Sequence, residues 1–229
     1  MRFALSLPDF AGYTRDSVAT DLIETDPQQP TAASIDRAAM IIKRGGVVAI
    51  PTDALYALVC DPLNLKAVGR IFQAKGRESD RALPVLVDGI VMAEELAKDA
   101  SPDFFVLARR FWPGPLTIIA TSSSKIPLKV TGNTGRLAMR QPKAAIPLAL
   151  LEKMGQPLIA TSANLSGQPT CSSGIEVFGV MDGKVDLVLD GGLCLGVGAT
   201  TVDITGSCWR VIKEGAIPEH AIADTLNGQ

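Results

Sequence analysis

The sequence predicts an α/β domain built on a single mixed sheet with flanking helices, and three observations carry that expectation. From residue 34 onward, apolar runs of strand length alternate with apolar stripes at helical spacing. Near the end, the strand-like runs 185–189, 200–203 and 209–213 succeed one another without an intervening helical stripe, which a purely parallel sheet does not allow. With 229 residues, 47% of them apolar, the chain has material for one sizeable core.

Residues 1–31 hold scattered apolar positions and the polar, proline-bearing run Glu24 to Thr31, and are expected as an N-terminal arm ahead of a domain spanning 32–229. Ser34 is placed to cap a helix whose Ile35, Ala38, Ala39 and Ile42 share one face, ended by Gly45-Gly46. Val47 to Ile50 reads as a buried strand that stops at Pro51-Thr52-Asp53, leaving a hydroxyl and a carboxylate at its end. Asn64 then caps a helix that turns Val68, Ile71 and Phe72 inward. Lys75 falls on the same stripe, so the buried face finishes in an ammonium group that either snorkels to solvent at the helix C-terminus or meets an anion.

Leu83 to Val87 reads as the next strand, followed by helical patterns over 90–98 and 102–111. Phe111-Trp112-Pro113-Gly114-Pro115 breaks the helix, because two prolines remove donors and fix φ while glycine admits positive φ; it reads as a rigid corner with Trp112 in the core. The strand Leu116 to Thr121 continues from it. In the strand Arg136 to Arg140, alternation puts Arg136, Ala138 and Arg140 on one side and Leu137 and Met139 on the other. Pro147, Leu150, Leu151 and Met154 form a helix stripe stopped by Gly155, and Pro157 to Ala160 is a strand. It runs into Thr161-Ser162-Ala163-Asn164-Leu165-Ser166-Gly167, a stretch too rich in hydroxyls and amide for a core strand and expected as a loop at a strand's end, where α/β sites lie. The segment from Gln168 to Gly174 reads as either an ordinary surface connection or a mobile lid. Glycines 191, 192, 196 and 198 precede a β-like run and not a helix, so they are not a dinucleotide fingerprint. A short helix after Pro218 closes the chain.

The net charge of −2 argues against an indiscriminate nucleic-acid or membrane binder and makes any basic site a local one. Cys60, Cys171, Cys194 and Cys208 are spread without a CxxC pair, so neither a zinc site nor a disulfide framework is expected, and a reducing cytoplasm is. The opening MRFALSLPDF is too short for a signal segment, and no run approaches transmembrane length. His220 is the single histidine and is expected on the surface of the terminal helix, which disfavours histidine triads and His-rich metal sites.

The remaining polar features are Lys75 and Arg77, Arg136 and Arg140, Ser162 and Asn164, and Thr200 ahead of a strand. Cations with hydroxyls suit a polyphosphate: guanidinium and ammonium neutralise it, and Ser and Asn add directional hydrogen bonds. Ser162 has no histidine partner in the sequence pattern and no GxxxxGK[ST] loop is present, so no protein nucleophile is expected.

KGR, FWPGPLT, the Arg140 strand and TSAN-SG, in this order and spacing, resemble the YrdC-like family of threonylcarbamoyl-AMP synthases over about Ile35 to Ile217. The resemblance implies a twisted α/β sheet with a large, positively charged concave face. It also implies the condensation of L-threonine, bicarbonate and ATP to threonylcarbamoyl-AMP and pyrophosphate, for N6-threonylcarbamoyladenosine formation in tRNA. By motif, it assigns ATP to Lys75, Arg77, Ser162 and Asn164, with Arg136, Thr170 and Lys213 as further lining positions. It assigns threonine to Arg140, Thr200, Ala160 and Thr52. Magnesium would be held through ATP phosphates and water, with no protein ligand set. A tRNA or the threonylcarbamoyl-transferase machinery would be the partner.

The chain departs from the family pattern at Ala54, Ala57 and Val59, at Arg81, at Leu86, where a histidine is common, and at Lys213, where an arginine is usual. The phosphate-side set is intact and the amino-acid side is altered. The residues themselves fit two classes: an adenylate-forming synthase, for threonine or another acceptor, and a nucleotide- or RNA-binding module that keeps the cations without catalysis.

Overall fold

The computed structural model describes residues 19–228, and the expectations for the leading part of the arm, residues 1–18, lie outside the described residues. Among the described residues are ten strands: β1 (Asp21–Glu24), β2 (Val48–Ile50), β3 (Ala57–Cys60), β4 (Val85–Leu86), β5 (Leu116–Thr121), β6 (Arg136–Arg140), β7 (Leu158–Ser162), β8 (Leu187–Asp190), β9 (Thr200–Asp203) and β10 (Arg210–Lys213). The helices are α1 (Ala32–Lys43), α2 (Leu65–Lys75), α3 (Ile90–Leu96), α4 (Pro102–Phe111), α5 (Ala145–Met154), α6 (Gly174–Met181) and α7 (Glu219–Asn227). All ten strands join one sheet in the order β1-β8-β2-β3-β7-β4-β6-β5-β9-β10. It is mixed as expected: β1, β8 and β2 run parallel, as do the pairs β4–β6 and β5–β9, while the remaining neighbours are antiparallel.

Strand alternation divides the side chains between two faces. One face carries Leu58, Val85, Leu116, Ile118, Leu137, Met139, Ile159 and Val202, packed under apolar residues of α2, α3, α4, α6 and α7. The other face is covered over only part of its width. There α1 and α5 lay Ile35, Ala38, Ile42, Ile146, Leu150 and Leu151 over Val48, Ile50, Val59, Leu187 and Leu189. Toward the other edge this cover runs out: β7 and β4 add Leu158, Leu86 and the partly buried Ala160 to the cluster, β6, β5, β9 and β10 add nothing, and this half-covered sheet produces the concavity described below.

The helix ends follow their capping chemistry, with one shift. Asn64 accepts from the N–H groups of Lys66 and Ala67 at 3.1 and 3.2 Å and starts α2, and Gly76 stops it in the left-handed region at φ 59°. In α1 the cap is Thr31 and not Ser34: the extended backbone at Thr31 lets its hydroxyl accept from Ser34 N at 3.2 Å, while Ser34 Oγ donates to the Thr31 carbonyl at 2.8 Å. At the FWPGP corner, where the Trp112–Pro113 bond is cis, Trp112 packs edge-on to Phe104 and its Nε1–H donates to the Leu116 carbonyl at 2.7 Å.

Three elements were not expected from the sequence. β1 lies within the stretch read as an arm and is the sheet's edge, in parallel register with β8 from Asp21↔Leu187 to Glu24↔Asp190. β3 is buried along its whole length and follows β2 after only six residues, so its apolar run carries no alternation to separate it from a loop. α6 contains two glycines and β-branched residues and is helical because Ser173 caps it at Glu176 N and Val177 and Met181 bury against the core. In the other direction, β7 runs two residues further than expected, so Thr161 and Ser162 belong to the strand and only Ala163 onward is loop.

Candidate functional site

The sheet register places a row of side chains across the uncovered face. Leu86 of β4 pairs with Arg140 of β6, and Thr117 of β5 with Thr201 of β9, which pairs with Lys213 of β10. The β5–β6 ladder pairs Ile118 with Met139, and continuing it one step sets Thr117 beside Arg140. Leu86, Arg140, Thr117, Thr201 and Lys213 therefore form one line across five strands, and all five line a concavity of about 310 Å3. Arg77, from the turn after α2, Thr52, from the turn after β2, Ser162 and Ala160, from β7, and Thr170 also line it.

Of the expected site residues, Arg77, Ser162, Thr170, Lys213, Arg140, Ala160 and Thr52 meet at this concavity. Lys75 and Asn164 lie behind its wall. Lys75 is 3% exposed, so it does not snorkel, and it has no carboxylate partner among the described residues. Its Nζ donates to the Ser162 carbonyl, and to the carbonyl and Oδ1 of Asn164 at 3.0 Å each, which uses all three ammonium protons. Burial, with the Arg77 cation alongside, pulls this ammonium from 10.5 to about 8. Asn164 Oδ1 also accepts from Ser162 Oγ at 2.5 Å, and its amide donates to the carbonyls of Leu165 and Gln168 at 2.9 and 2.6 Å. The cluster fixes the turn that presents the Ser162 hydroxyl, 87 residues away from Lys75 in sequence.

Arg136 is on the expected side of β6 but lies four residues, about 13 Å, along the strand from Arg140. It is outside the concavity and pairs with Asp203 at 3.3 Å. Thr200 is displaced by strand alternation: it is fully buried, and its hydroxyl donates to the Ile217 carbonyl at 2.7 Å and accepts from Ile217 N at 2.9 Å. Its neighbour Thr201 takes the place on the concave face. The Thr52 hydroxyl closes its own turn, donating to the Leu55 carbonyl at 2.6 Å and accepting from Ala54 N at 3.0 Å. The 168–174 segment is tied down, Tyr56 N donating to the Cys171 carbonyl at 3.4 Å and Cys194 N to the Ser172 carbonyl at 2.7 Å.

The electrostatics are lopsided. Three cations, Arg77, Arg140 and Lys213, line the concavity, and no carboxylate does. Arg77 makes only a long 3.4 Å contact to the Ala82 carbonyl; burial and the neighbouring Arg81 disfavour its charge, and Asp80, too far away for an ion pair, offsets them only in part. Neither Arg77 nor Lys213 has an acidic partner among the described residues. Arg140 does have one: its Nη2 meets Asp53 Oδ1 at 3.0 Å, with the two side chains 8% and 15% exposed. Behind Asp53, Gly196 packs so closely on the Asp53 and Ala54 carbonyls that any side chain would displace them. Tyr56 anchors the same wall, donating to the Gly192 carbonyl at 2.8 Å and accepting from Gly191 N at 3.0 Å.

Asp53, Thr117 and Thr201 are the positions that sequence reasoning did not assign to the site. The alternation of β5 and β9 marks which residues share a face with Thr117 and Thr201, but only the register brings those faces beside Arg140. Among the described residues there is no cluster of three or more His, Cys, Asp or Glu side chains able to hold a metal, and all four cysteines are free thiols. No described helix is long and apolar enough to cross a membrane.

Comparison with known proteins bears on this arrangement. The family model Sua5_yciO_yrdC, described as telomere recombination, matches residues 40–215. The threonylcarbamoyl-AMP synthase of Pyrococcus abyssi is 38% identical over 190 residues, 82% of this chain and 56% of the relative. That of Bacillus subtilis is 34% identical over 207 residues, 90% of this chain and 58% of the relative. The crystal structure of P. abyssi Sua5 complexed with L-threonine superposes with a TM-score of 0.87 at 35% identity, covering 90% of this chain and 61% of that one. Escherichia coli YciO superposes with a TM-score of 0.81 at 27% identity, covering 87% of this chain and 97% of that one. The chain thus spans little more than half the length of the P. abyssi and B. subtilis synthases.

Proposed function

Since the chain belongs to the Sua5/YciO/YrdC family, we propose that it is a threonylcarbamoyl-AMP synthase, which condenses L-threonine, bicarbonate and ATP into threonylcarbamoyl-adenylate and pyrophosphate. The observation that carries the reading is the pair of cations, Arg77 and Lys213, that face a concavity without a carboxylate partner while a third, Arg140, waits on its floor. A half-buried guanidinium without an acid is disfavoured unless an anion joins it, and a triphosphate supplies several anionic oxygens.

In this reading Arg77, Lys213 and Thr170 receive the phosphates, the Ser162 hydroxyl turns from Asn164 Oδ1 to donate to them, and Arg136 extends the cationic edge. Lys75 and Asn164 hold the Ser162 turn in place and do not meet the nucleotide themselves. Arg140 takes the amino-acid carboxylate with the guanidinium edge that Asp53 leaves free, with Ala160, Thr52 and the Thr200–Thr201 strand around it. The amine adds to bicarbonate with loss of water, and the resulting carbamate oxygen attacks the α-phosphorus, expelling pyrophosphate. No protein nucleophile is required: the site positions two anions and neutralises the charge that accumulates on the phosphate. The concavity offers no carboxylate of its own to a divalent ion, so magnesium enters as the counter-ion of ATP, bound through phosphates and water.

The product serves N6-threonylcarbamoyladenosine formation in cytoplasmic tRNA, handed to a transferase that acts on the nucleic acid. The test is incubation with ATP, bicarbonate and single amino acids, following pyrophosphate and the acylated adenylate. Product with threonine alone supports the reading. Product with another amino acid makes the chain a synthase of different acceptor, and binding of ATP without any adenylate makes it a nucleotide-binding module.

A further inference from the structure

We infer that Thr117 and Thr201 are the residues that select the amino-acid substrate, reading a β-hydroxyl group from the polar flank of Arg140, while Leu86 receives a methyl group from the opposite flank. The inference rests on the placement of the amino-acid carboxylate on Arg140 given above. It starts from the cross-sheet row: Leu86 pairs directly with Arg140 on one side, and Thr117, followed by Thr201, lies on the other.

Both threonines face the concavity because their strand neighbours Leu116, Ile118 and Val202 are buried in the core on the opposite face. Neither hydroxyl has a hydrogen-bond partner among the described residues, in contrast to the hydroxyls of Thr52 and Thr200, which are engaged with backbone. No buried side-chain oxygen among the described residues is left without a partner, so the Thr117 hydroxyl, although its residue is only 8% exposed, opens into the concavity. A free hydroxyl in a narrow, nearly closed position is a directional donor and acceptor waiting for a ligand group.

The spacing fits. Neighbouring strands lie about 4.8 Å apart, so a carboxylate held over β6 brings the β-carbon substituents of an α-amino acid over the adjacent strands, β5 on one side and β4 on the other. Toward β5 they meet the Thr117 hydroxyl, backed by Thr201. Toward β4 they meet Leu86, which has no polar group. A side chain with one hydroxyl and one methyl on the same carbon satisfies both flanks at once; serine lacks the methyl, and 2-aminobutyrate lacks the hydroxyl.

A site that hydrogen-bonds a substrate hydroxyl rejects the analogue lacking it far more strongly than an apolar pocket senses a missing methylene, which is worth about 10–200-fold. The test measures kcat/KM for adenylate formation with L-threonine and with L-2-aminobutyrate in the parent, Thr117→Val, Thr117→Ser and Thr201→Val. The threonine-to-aminobutyrate ratio should fall at least ~10-fold in Thr117→Val, less in Thr201→Val, and stay near the parent value in Thr117→Ser, which keeps the hydroxyl. A ratio unchanged in both valine variants overturns the inference. Should the parent form adenylate best with an amino acid that carries no hydroxyl, the synthase reading survives and this inference fails. If the parent forms no adenylate at all, the synthase reading fails, and calorimetric titration with the same two amino acids judges the inference by itself: tighter binding of threonine that Thr117→Val abolishes supports it, and equal binding overturns it.

Discussion

Lys75 Nζ and Asn164 Oδ1 stand 3.0 Å apart inside a cluster in which the buried cation is met by carbonyl and amide oxygens and by no acid among the described residues. The helix α2 thereby grips the end of β7 and sets the Ser162 turn. Substituting Lys75 by Ala strands those oxygens in a dry place. It is expected to lower stability by about 1–3 kcal/mol, seen as a lower urea midpoint, with ATP affinity falling alongside. A variant that lost ATP binding at full stability would place Lys75 on the nucleotide instead.

The same lysine sets a pH dependence. Its folded pKa of about 8 lies below the ordinary 10.5, so between these values the unfolded chain binds more protons than the folded one. Stability contributed by this group therefore rises as pH goes up through that window, and at lower pH the cost of burying the charge is carried in full. The urea midpoint of the parent should gain on that of Lys75→Met as pH is raised from below to above 8.

Arg77 makes no strong contact within the protein, so its loss should leave the fold untouched. Arg77→Ala is expected to weaken ATP binding roughly ten- to hundred-fold, the equivalent of about 1.5–3 kcal/mol for a charged hydrogen bond. Calorimetry checks the affinity and the urea midpoint checks the fold.

Asp53 and Arg140 form a buried pair, so removing one member leaves the other uncompensated. Asp53→Ala is expected to cost about 3–5 kcal/mol of stability in urea unfolding. Arg140→Lys keeps the charge but not the fork, so it should raise the threonine requirement sharply while changing ATP affinity much less. Equal effects on both substrates in steady-state kinetics would remove Arg140 from the carboxylate.

Trp112 holds the corner between α4 and β5 through one buried bond to the Leu116 carbonyl. Trp112→Phe retains most of the apolar packing and leaves that carbonyl unmatched. An expected loss of about 1–3 kcal/mol, measured by urea unfolding, separates the hydrogen bond from the packing.

What the sequence determined by itself was local. The bounds of β5 and β6, the Asn64 cap, the Gly155 stop and the inward face of α2 follow from hydrogen-bond chemistry and side-chain period within a few residues, and they are found as read. The family motifs brought together Arg77, Ser162, Arg140 and Lys213 before any distance was known. Tertiary structure decided the rest, because strand register and sheet order depend on partners far apart in the chain. Only the register shows that Thr201, and not Thr200, shares the concave face with Thr117 and Arg140, since a one-residue step reverses every side chain of a strand. Only the packing shows that Lys75 is enclosed by oxygens 87 and 89 residues away instead of reaching solvent. The edge strand β1 and the glycine-bearing helix α6 were invisible for the same reason: their own residues are indifferent, and the sheet and core they meet make them regular.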